Sequence, residues 1–484
     1  MNKISSKYIR IKKSKIHFIG FIVLFYFSLI CSCDSREKSN ILINFSEENQ
    51  LASNISWQSP EPTLFDLELK SSKNTINVRT KKKSIKHELK IIGLYPETEY
   101  EVIIKNLKDQ TFFQKTSFIT PSLPQNINNL KTEIITNEAQ EGFFLVSQCR
   151  DTQTKKRQNK TLKIIDEKGK VVWYKTFKEN TNNYFLTKDQ TLLYVSVDRS
   201  DTTKQIIEED FYGNVVFKSK KFKIIEDNNF NHWVYKSNSD TYLTIAFTAK
   251  NSLSPALKKQ HIVIGSKLIE IDQTGDIVWS SSAFDFYDLE RKQRFDKPSG
   301  NLYNIYKDPY AEDWTHANSI VDDSDGNLIL SFRNTNQIIK LNKESKEIMW
   351  AIGDDSINGY QSDIKLSDEQ KFNLQHAAFT NGNKLYIYDN GPFRSDQSRI
   401  QILELDNLVS PSKIVNHQKF WLAEYSSFQG NIDISLSDDR LLATIPEAGK
   451  IVQLNSKGEI IWQLSSQPDQ VFKVFYLPEL NNIN

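Results

Sequence analysis

The chain has 484 residues, 25% charged and 38% hydrophobic, the balance of a folded polypeptide long enough for more than one domain. Its 62 basic and 60 acidic residues leave a formal charge of +2, which excludes the strong basic surplus of a dedicated nucleic-acid binder. Local lysine clusters (Lys81, Lys82 and Lys83; Lys218, Lys220, Lys221 and Lys223) read as solvated faces.

Lys3, Lys7, Arg10, Lys12, Lys13 and Lys15 precede the first acidic residue, and an apolar run from Phe18 to Ile30 follows. A basic segment ahead of an apolar core too short to span a bilayer comfortably predicts a secretory signal over residues 1–32. The run ends Ile30-Cys31-Ser32-Cys33, which resembles a lipobox. Cys33, preceded by a small residue, is the expected lipidation site; Cys31 fits poorly because Ile30 precedes it. The expectation is an exported lipoprotein, anchored by lipid and facing the periplasm or cell surface, with a plainly cleaved signal as the alternative. Cys149 then remains as the one mature thiol. It follows the apolar run Phe143 to Ser147 and is expected to be packed, with no internal disulfide and no catalytic role.

Residues 33–121 alternate in short β-type runs: Leu64 to Leu69, Thr75 to Val78, His87 to Ile92, Tyr100 to Ile104 and Phe112 to Thr120. The segment Leu94-Tyr95-Pro96-Glu97-Thr98-Glu99-Tyr100-Glu101-Val102 resembles the tyrosine corner of fibronectin type III domains, where the hydroxyl bonds back to nearby backbone. A small fibronectin III/Ig-like β-sandwich is therefore expected, followed by a linker over residues 122–136 carrying Ser122-Leu123-Pro124-Gln125.

A repeat occupies residues 137–484. One unit is a strand, then Asp-x-x-Gly, then a strand with an aromatic residue. It appears as Leu162 to Asp166, Gly169 and Trp173; as Ile206 to Asp210, Gly213 and Phe217; and as Leu268 to Asp272, Gly275 and Trp279. Ile338 to Asn342 leads to Trp350 with one extra residue and Ser345 where glycine stood. Val452 to Asn455, Gly458 and Trp462 follow, and Ile402 to Asp406 is a degenerate copy. Aspartate tolerates the turn, glycine supplies positive φ, and the aromatic packs between sheets. A second hairpin type alternates with the first, at Asn183 to Val197, His232 to Phe247, His316 to Arg333, His376 to Asp389 and Asn431 to Ile445. Two hairpins per unit make a four-stranded sheet, and six copies predict an all-β, six-bladed β-propeller, with Val471 to Leu477 as the strand that closes the ring.

The alignment of repeats places His232, His316 and His376 at one point of three successive units, ahead of the first and innermost strand. Arg333 ends the second strand of the His316 unit and falls near the same axis. Singly, each histidine is more often structural than catalytic. As a set at one repeat phase they are candidate functional residues.

These residues also carry a resemblance. Asp313-Trp314-Thr315-His316-Ala317-Asn318-Ser319, Leu330-Ser331-Phe332-Arg333, Gln375-His376 and Tyr388-Asp389-Asn390-Gly391 resemble successive signature blocks of bacterial aryl-sulfate sulfotransferases; Asn231-His232 resembles an earlier histidine block less specifically. The resemblance implies a small N-terminal β-domain joined to a six-bladed propeller. It implies His376 as nucleophile forming a sulfohistidine, His316 as acid and base, Arg333 and His232 as stabilisers of the sulfuryl oxygens, and Asn318 as a substrate-binding donor. No cofactor or metal is implied, and the partners are a small aryl sulfate donor and a phenolic acceptor. The cysteine pair that some members oxidise is absent. The aromatic insertion from Phe284 to Asp313 (with Tyr287, Phe295, Tyr303, Tyr306 and Tyr310) lines an aryl pocket or is a packed surface loop.

Two rival readings stand beside this one. Three histidines also suit a zinc-dependent hydrolase or lyase, although Arg333 would set a cation beside a cation. A non-catalytic lipoprotein whose propeller binds glycans or partners is the other. No G-x-x-x-x-G-K-S/T run and no Cys-x-Pro-x-Arg pattern is present, so nucleotide-dependent sulfotransfer and formylglycine sulfatase chemistry are disfavoured.

Overall fold

The computed structural model describes residues 41–151, 161–177, 183–198, 200–224, 230–254, 259–289, 311–353, 361–391, 397–467 and 469–481. The signal segment, Cys33, the Cys149 side chain and the insertion aromatics Phe295, Tyr303, Tyr306 and Tyr310 lie outside the described residues. The described residues all belong to one compact unit. It is nearly all-β: among them only the four residues Ala283–Phe286 are α-helical.

Two sheets form from residues 42–119. One orders Leu42–Phe45, Ser53–Thr63 and Ser84–Ile91; the other orders Thr75–Arg79, Phe65–Lys70, Glu99–Asn106 and Phe112–Ile119. Alternate residues of both enter one core containing Ile55, Trp57, Leu67, Leu69, Tyr100 and Val102. The strand Ser53–Thr63 escapes the sequence pattern because Pro60 and Pro62 punctuate it, and its pairing slips between Gln58 and Thr63. The Tyr100 hydroxyl accepts from Tyr95 N at 3.0 Å and donates to Asn74 Oδ1 at 2.8 Å, the backbone bond expected of a tyrosine corner.

Six of the eight sheets come from the repeat region, each built on four strands that run up and down in chain order or are completed by one distant strand, and three of the six carry a fifth strand. The second runs from Tyr184–Leu186 to Val215–Lys218, the third from Phe230–Lys236 to Ile277–Ser282, the fourth from Ala317–Asp322 to Ile348–Gly353 and the fifth from His376–Asn381 to Ile414–Trp421. In the first sheet Asp469–Leu477 pairs with Phe143–Asp151, so the strand expected to close the fold does join its first and last parts. The sixth runs from Ile432–Asp433 to Ile460–Ser465 and gains Lys131–Ile134 as an outer strand, so part of the expected linker is a sheet strand. The first strands touch those of neighbouring sheets and form the inner layer of this propeller-like succession.

The repeat's turn works as its chemistry requires. Asp166, Asp210, Asp272 and Asn455 each accept two backbone N–H groups two and four residues on, and Gly169, Gly213, Gly275 and Gly458 hold positive φ. In the fourth sheet the extra residue moves positive φ to Lys346, with φ 61°. The closing tryptophans reach forward: the indole N–H of Trp173, Trp279, Trp350 and Trp462 donates at 2.8–2.9 Å to the carbonyls of Phe211, Lys343, Leu408 and Glu167. Each acceptor lies between the outer strands of the next sheet, and the last step runs from the sixth sheet to the first.

Phe284 and Tyr287 of the insertion pack inward. Their rings lie 5.1 and 6.2 Å from Trp314, and the Tyr287 hydroxyl donates to Gln337 at 2.9 Å. These two are core aromatics.

Tyr100→Phe removes the hydroxyl that accepts from Tyr95 N and donates to Asn74 Oδ1, and is expected to cost about 1 kcal/mol of stability. Urea unfolding of the two proteins measures it; equal midpoints would remove the corner from the fold's energetics.

Candidate active site

Three inner strands interrupt their pairing at one phase. The register shifts between Asn231 and Val234 in the third sheet, between Ala317 and Ser319 in the fourth, and between His376 and Phe379 in the fifth. Such bulges re-aim side chains out of the ladder. His232 and His316 themselves take φ of 56° and 49°, and Ala377, beside His376, takes 49°. A side chain there costs about 1–2 kcal/mol per residue, so the surrounding packing must hold it.

The geometry joins the predicted set. The rings of His232 and His316 stand 4.6 Å apart between centroids, with Phe247 edge-on to His232 at 6.4 Å. His316 Nδ1 hydrogen-bonds the Asp313 carboxylate. A carboxylate accepts, so Nδ1 carries a proton and Nε2 is the nitrogen left for chemistry. Asp313 is held in turn: its backbone lies parallel to Ile264, and its carbonyl accepts from Asn334 Nδ2 at 2.7 Å. Arg333 N donates to His316 O at 3.2 Å, and Arg333 Nη1 donates to Asn334 Oδ1 at 2.8 Å. One short loop thus sets both the acid/base candidate and the guanidinium.

His376 is 5% exposed, whereas His232, His316 and Arg333 keep part of their surface accessible. Its Nδ1 lies 2.7 Å from the carbonyl oxygen of Gly430 on the neighbouring sheet. A carbonyl only accepts, so Nδ1 is the protonated nitrogen and Nε2 carries a free lone pair. Gly430 has φ 100°, and a Cβ on it would meet the Tyr388 ring at 2.3 Å, so no other residue fits without moving that carbonyl.

The remaining motif residues hold this arrangement rather than enter it. Asn318, with no accessible surface, donates one Nδ2 N–H to the Gln375 carbonyl at 2.7 Å and so grips the residue before His376. Gln375 Nε2 donates to Phe332 O and Gln337 O, both at 3.0 Å. Asp389 accepts Asn373 N on one oxygen and Arg399 and Gln401 on the other. Asn390 donates to the carbonyls of Ser426 and Gln429, fixing the loop that ends at Gly430. Both approaches to His376 are therefore pinned.

Electrostatically, His376 and His232 are held as neutral imidazoles among cations. Burial pushes His376 down to about 3, opposed by its bond to Gly430 and reinforced by the charges of Lys473, His316 and Arg333. Burial first, then the same cluster, holds His232 well below the ordinary histidine value. Lys473 escaped sequence reasoning. Its one signal is a cation inside the apolar strand Val471 to Leu477. Tyr425, half-buried, lies within electrostatic reach of Arg333. Among the described residues no group of three His, Cys, Asp or Glu side chains is disposed to hold a metal ion. The arrangement offers a neutral nitrogen nucleophile, an acid/base beside it and positive charge for an anion.

Residues 130–412 match the family described as Arylsulfotransferase (ASST). No curated protein matches the chain. Among solved structures, a functionally unknown protein from Desulfotomaculum acetoxidans is 13% identical, with 78% of this chain and 96% of that one covered and a TM-score of 0.38. A virginiamycin B lyase from Staphylococcus aureus is 11% identical, with 83% and 99% covered and a TM-score of 0.33. Likenesses this distant carry no argument about chemistry.

The folded value of His376 lies below the unfolded one near 6.5, so protonation favours the unfolded chain. The stability of burying the neutral ring is full above that pH and is lost as the pH falls toward about 3. His376→Asn should flatten the acid-side fall of unfolding free energy by up to about 1.4 kcal/mol per pH unit. Urea unfolding across mildly acid pH measures the slope; an unchanged slope refutes the neutral-ring assignment.

Proposed function

The chain belongs to the arylsulfotransferase family, and on that premise we propose that it moves a sulfuryl group from a phenolic sulfate ester to an acceptor phenol through a sulfohistidine at His376, without a nucleotide. The observation that carries this is the bond from His376 Nδ1 to Gly430 O, which leaves Nε2 unprotonated beside Arg333, His316 and Lys473.

Nε2 attacks sulfur, the N–S bond forms and the S–O bond to the aryl group breaks, while Nδ1 keeps its proton, donated to Gly430 O. The departing phenoxide takes the Nε2 proton of His316, which enters the step as the imidazolium with its Nδ1–H steadied by Asp313. The acceptor phenol then gives its proton to His316, attacks the same sulfur, and frees His376. Sulfuryl transfer spreads negative charge over peripheral oxygens, so positioning and charge do most of the work. Arg333 is the oxyanion clamp and His232, against the His316 ring, lines the same space. Asn318 we assign to holding Gln375, and through it His376, in place of direct substrate contact.

We read the six sheets as six blades of one ring over residues 137–484, with Lys131–Ile134 reaching back from the preceding segment. The two sheets of residues 42–119 are read as a fibronectin III-like sandwich, supported by their shared core and tyrosine corner.

Intact-mass analysis after mixing with a chromogenic aryl sulfate alone should show one sulfuryl adduct, mapping to His376 and absent from His376→Asn. Persistent absence across several donors would sink the covalent reading. Gly430→Ala should keep the fold but lower kcat by about 10²-fold or more, since displacement of its carbonyl frees the imidazole to turn. Steady-state turnover tests it, and a wild-type rate would show the carbonyl to be dispensable.

A further inference from the structure

A cation that takes no part in these bond changes is built into the same inner layer. Lys473 lies on Asp469–Leu477, the inner strand of the first sheet. That strand slips register between Val471 and Val474, just as the third sheet's inner strand slips between Asn231 and Val234. Each slip encloses two residues: His232 and Trp233 in one, Phe472 and Lys473 in the other. Lys473 therefore stands on its strand where Trp233 stands beside His232.

The two side chains meet. Lys473 Nζ lies 4.1 Å from the centroid of the Trp233 ring and 5.4 Å from that of Phe472. It donates to Tyr184 O at 3.3 Å, and the Tyr184 hydroxyl returns a 2.7 Å bond to Lys473 O. Lys473 is 1% exposed, and the neighbours around its ammonium are an indole, a phenyl ring and a carbonyl, none of them anionic. An ammonium buried without a counter-charge is costly unless something anionic comes to meet it.

Its charge reaches the site. His232 comes from the third sheet and His376 from the fifth, with His316 and Arg333 of the fourth beside them. The second sheet contributes Tyr184, and the sixth contributes Asp433, whose carboxylate is turned to Ser435 and to Tyr476 N. On His376, Lys473 weighs more than any other cation.

We propose that Lys473 is a positioning residue of the site, a second cation in addition to Arg333, drawing an oxyanionic group to His376 Nε2. The reaction it serves is the sulfuryl transfer proposed above; its charge can be tested apart from turnover. Burial brings Lys473 down to about 7, so in the empty site its charge is present below that pH and lost above it.

Calorimetric titration with inorganic sulfate reads this directly on the full chain. At about pH 6, K473M should bind sulfate about fivefold more weakly than wild type, and K473R within about twofold of it. K473M binding as tightly as wild type with an unchanged unfolding midpoint overturns the proposal, as does a wild type that takes no sulfate. If K473M does not fold, wild type and K473R decide it: between about pH 6 and pH 9 the wild-type affinity should fall away from that of K473R, whose guanidinium stays charged. Parallel curves overturn it. Sulfate binding that depends on Lys473 with no turnover of any aryl sulfate leaves this assignment standing and removes the sulfotransfer reading.

Discussion

The forward reach of each closing aromatic sets everything else in place. Four indole N–H groups, at Trp173, Trp279, Trp350 and Trp462, bond carbonyls between the outer strands of the next sheet, including the step from sixth to first. Where the repeat lacks an indole, packing replaces the bond. Phe217 stacks on Tyr242 at 3.9 Å, and Phe420 lies where a Cβ on Gly458 would come within 2.2 Å. A fixed outer contact between neighbours gives a fixed step, and a fixed step brings equivalent inner residues to one place. The convergence of His232, His316 and His376 is a consequence of packing at the opposite end of each sheet.

The inner strands slip register at or just after these rings: one slip encloses His232, and the others follow His316 and His376, with left-handed backbone at His232, His316 and Ala377. Polar side chains with no exposure (Asn318, Gln375 and Asn336) resist relaxation by bonding the loop ahead of His376. Rigidity here serves charge as much as geometry. An imidazole kept neutral among cations is a better nucleophile toward an anion than a mobile one that could escape to water.

The sheet succession was legible because its turns repeat a chemistry, Asp-x-x-Gly with a tryptophan, that tolerates few substitutes. The histidine set was legible from phase for the same reason. Lys473 and Gly430 were not, because their significance is tertiary. Gly430 acts through a carbonyl, which every residue has, and only its φ of 100° and the Tyr388 ring explain the glycine. Lys473 sits on the one inner strand that is distant in sequence from its sheet, where no hairpin pattern announces a phase. By density alone Phe284 and Tyr287 fitted a pocket lining and a packed loop equally. Their packing against Trp314 and Phe332 shows that density does not distinguish a lining from a core. Asn318 was expected to bind substrate; one of its amide N–H groups bonds the Gln375 carbonyl, a tertiary contact its spacing to His316 does not announce.

Asn431, next to Gly430, grips the backbone of Val474 with both atoms of its amide, each at 3.0 Å. The carbonyl that orients His376 is thus braced by a strand translated after every other part of the ring. A chain lacking that strand has nothing to brace the carbonyl, so the arrangement around His376 is complete only with final closure.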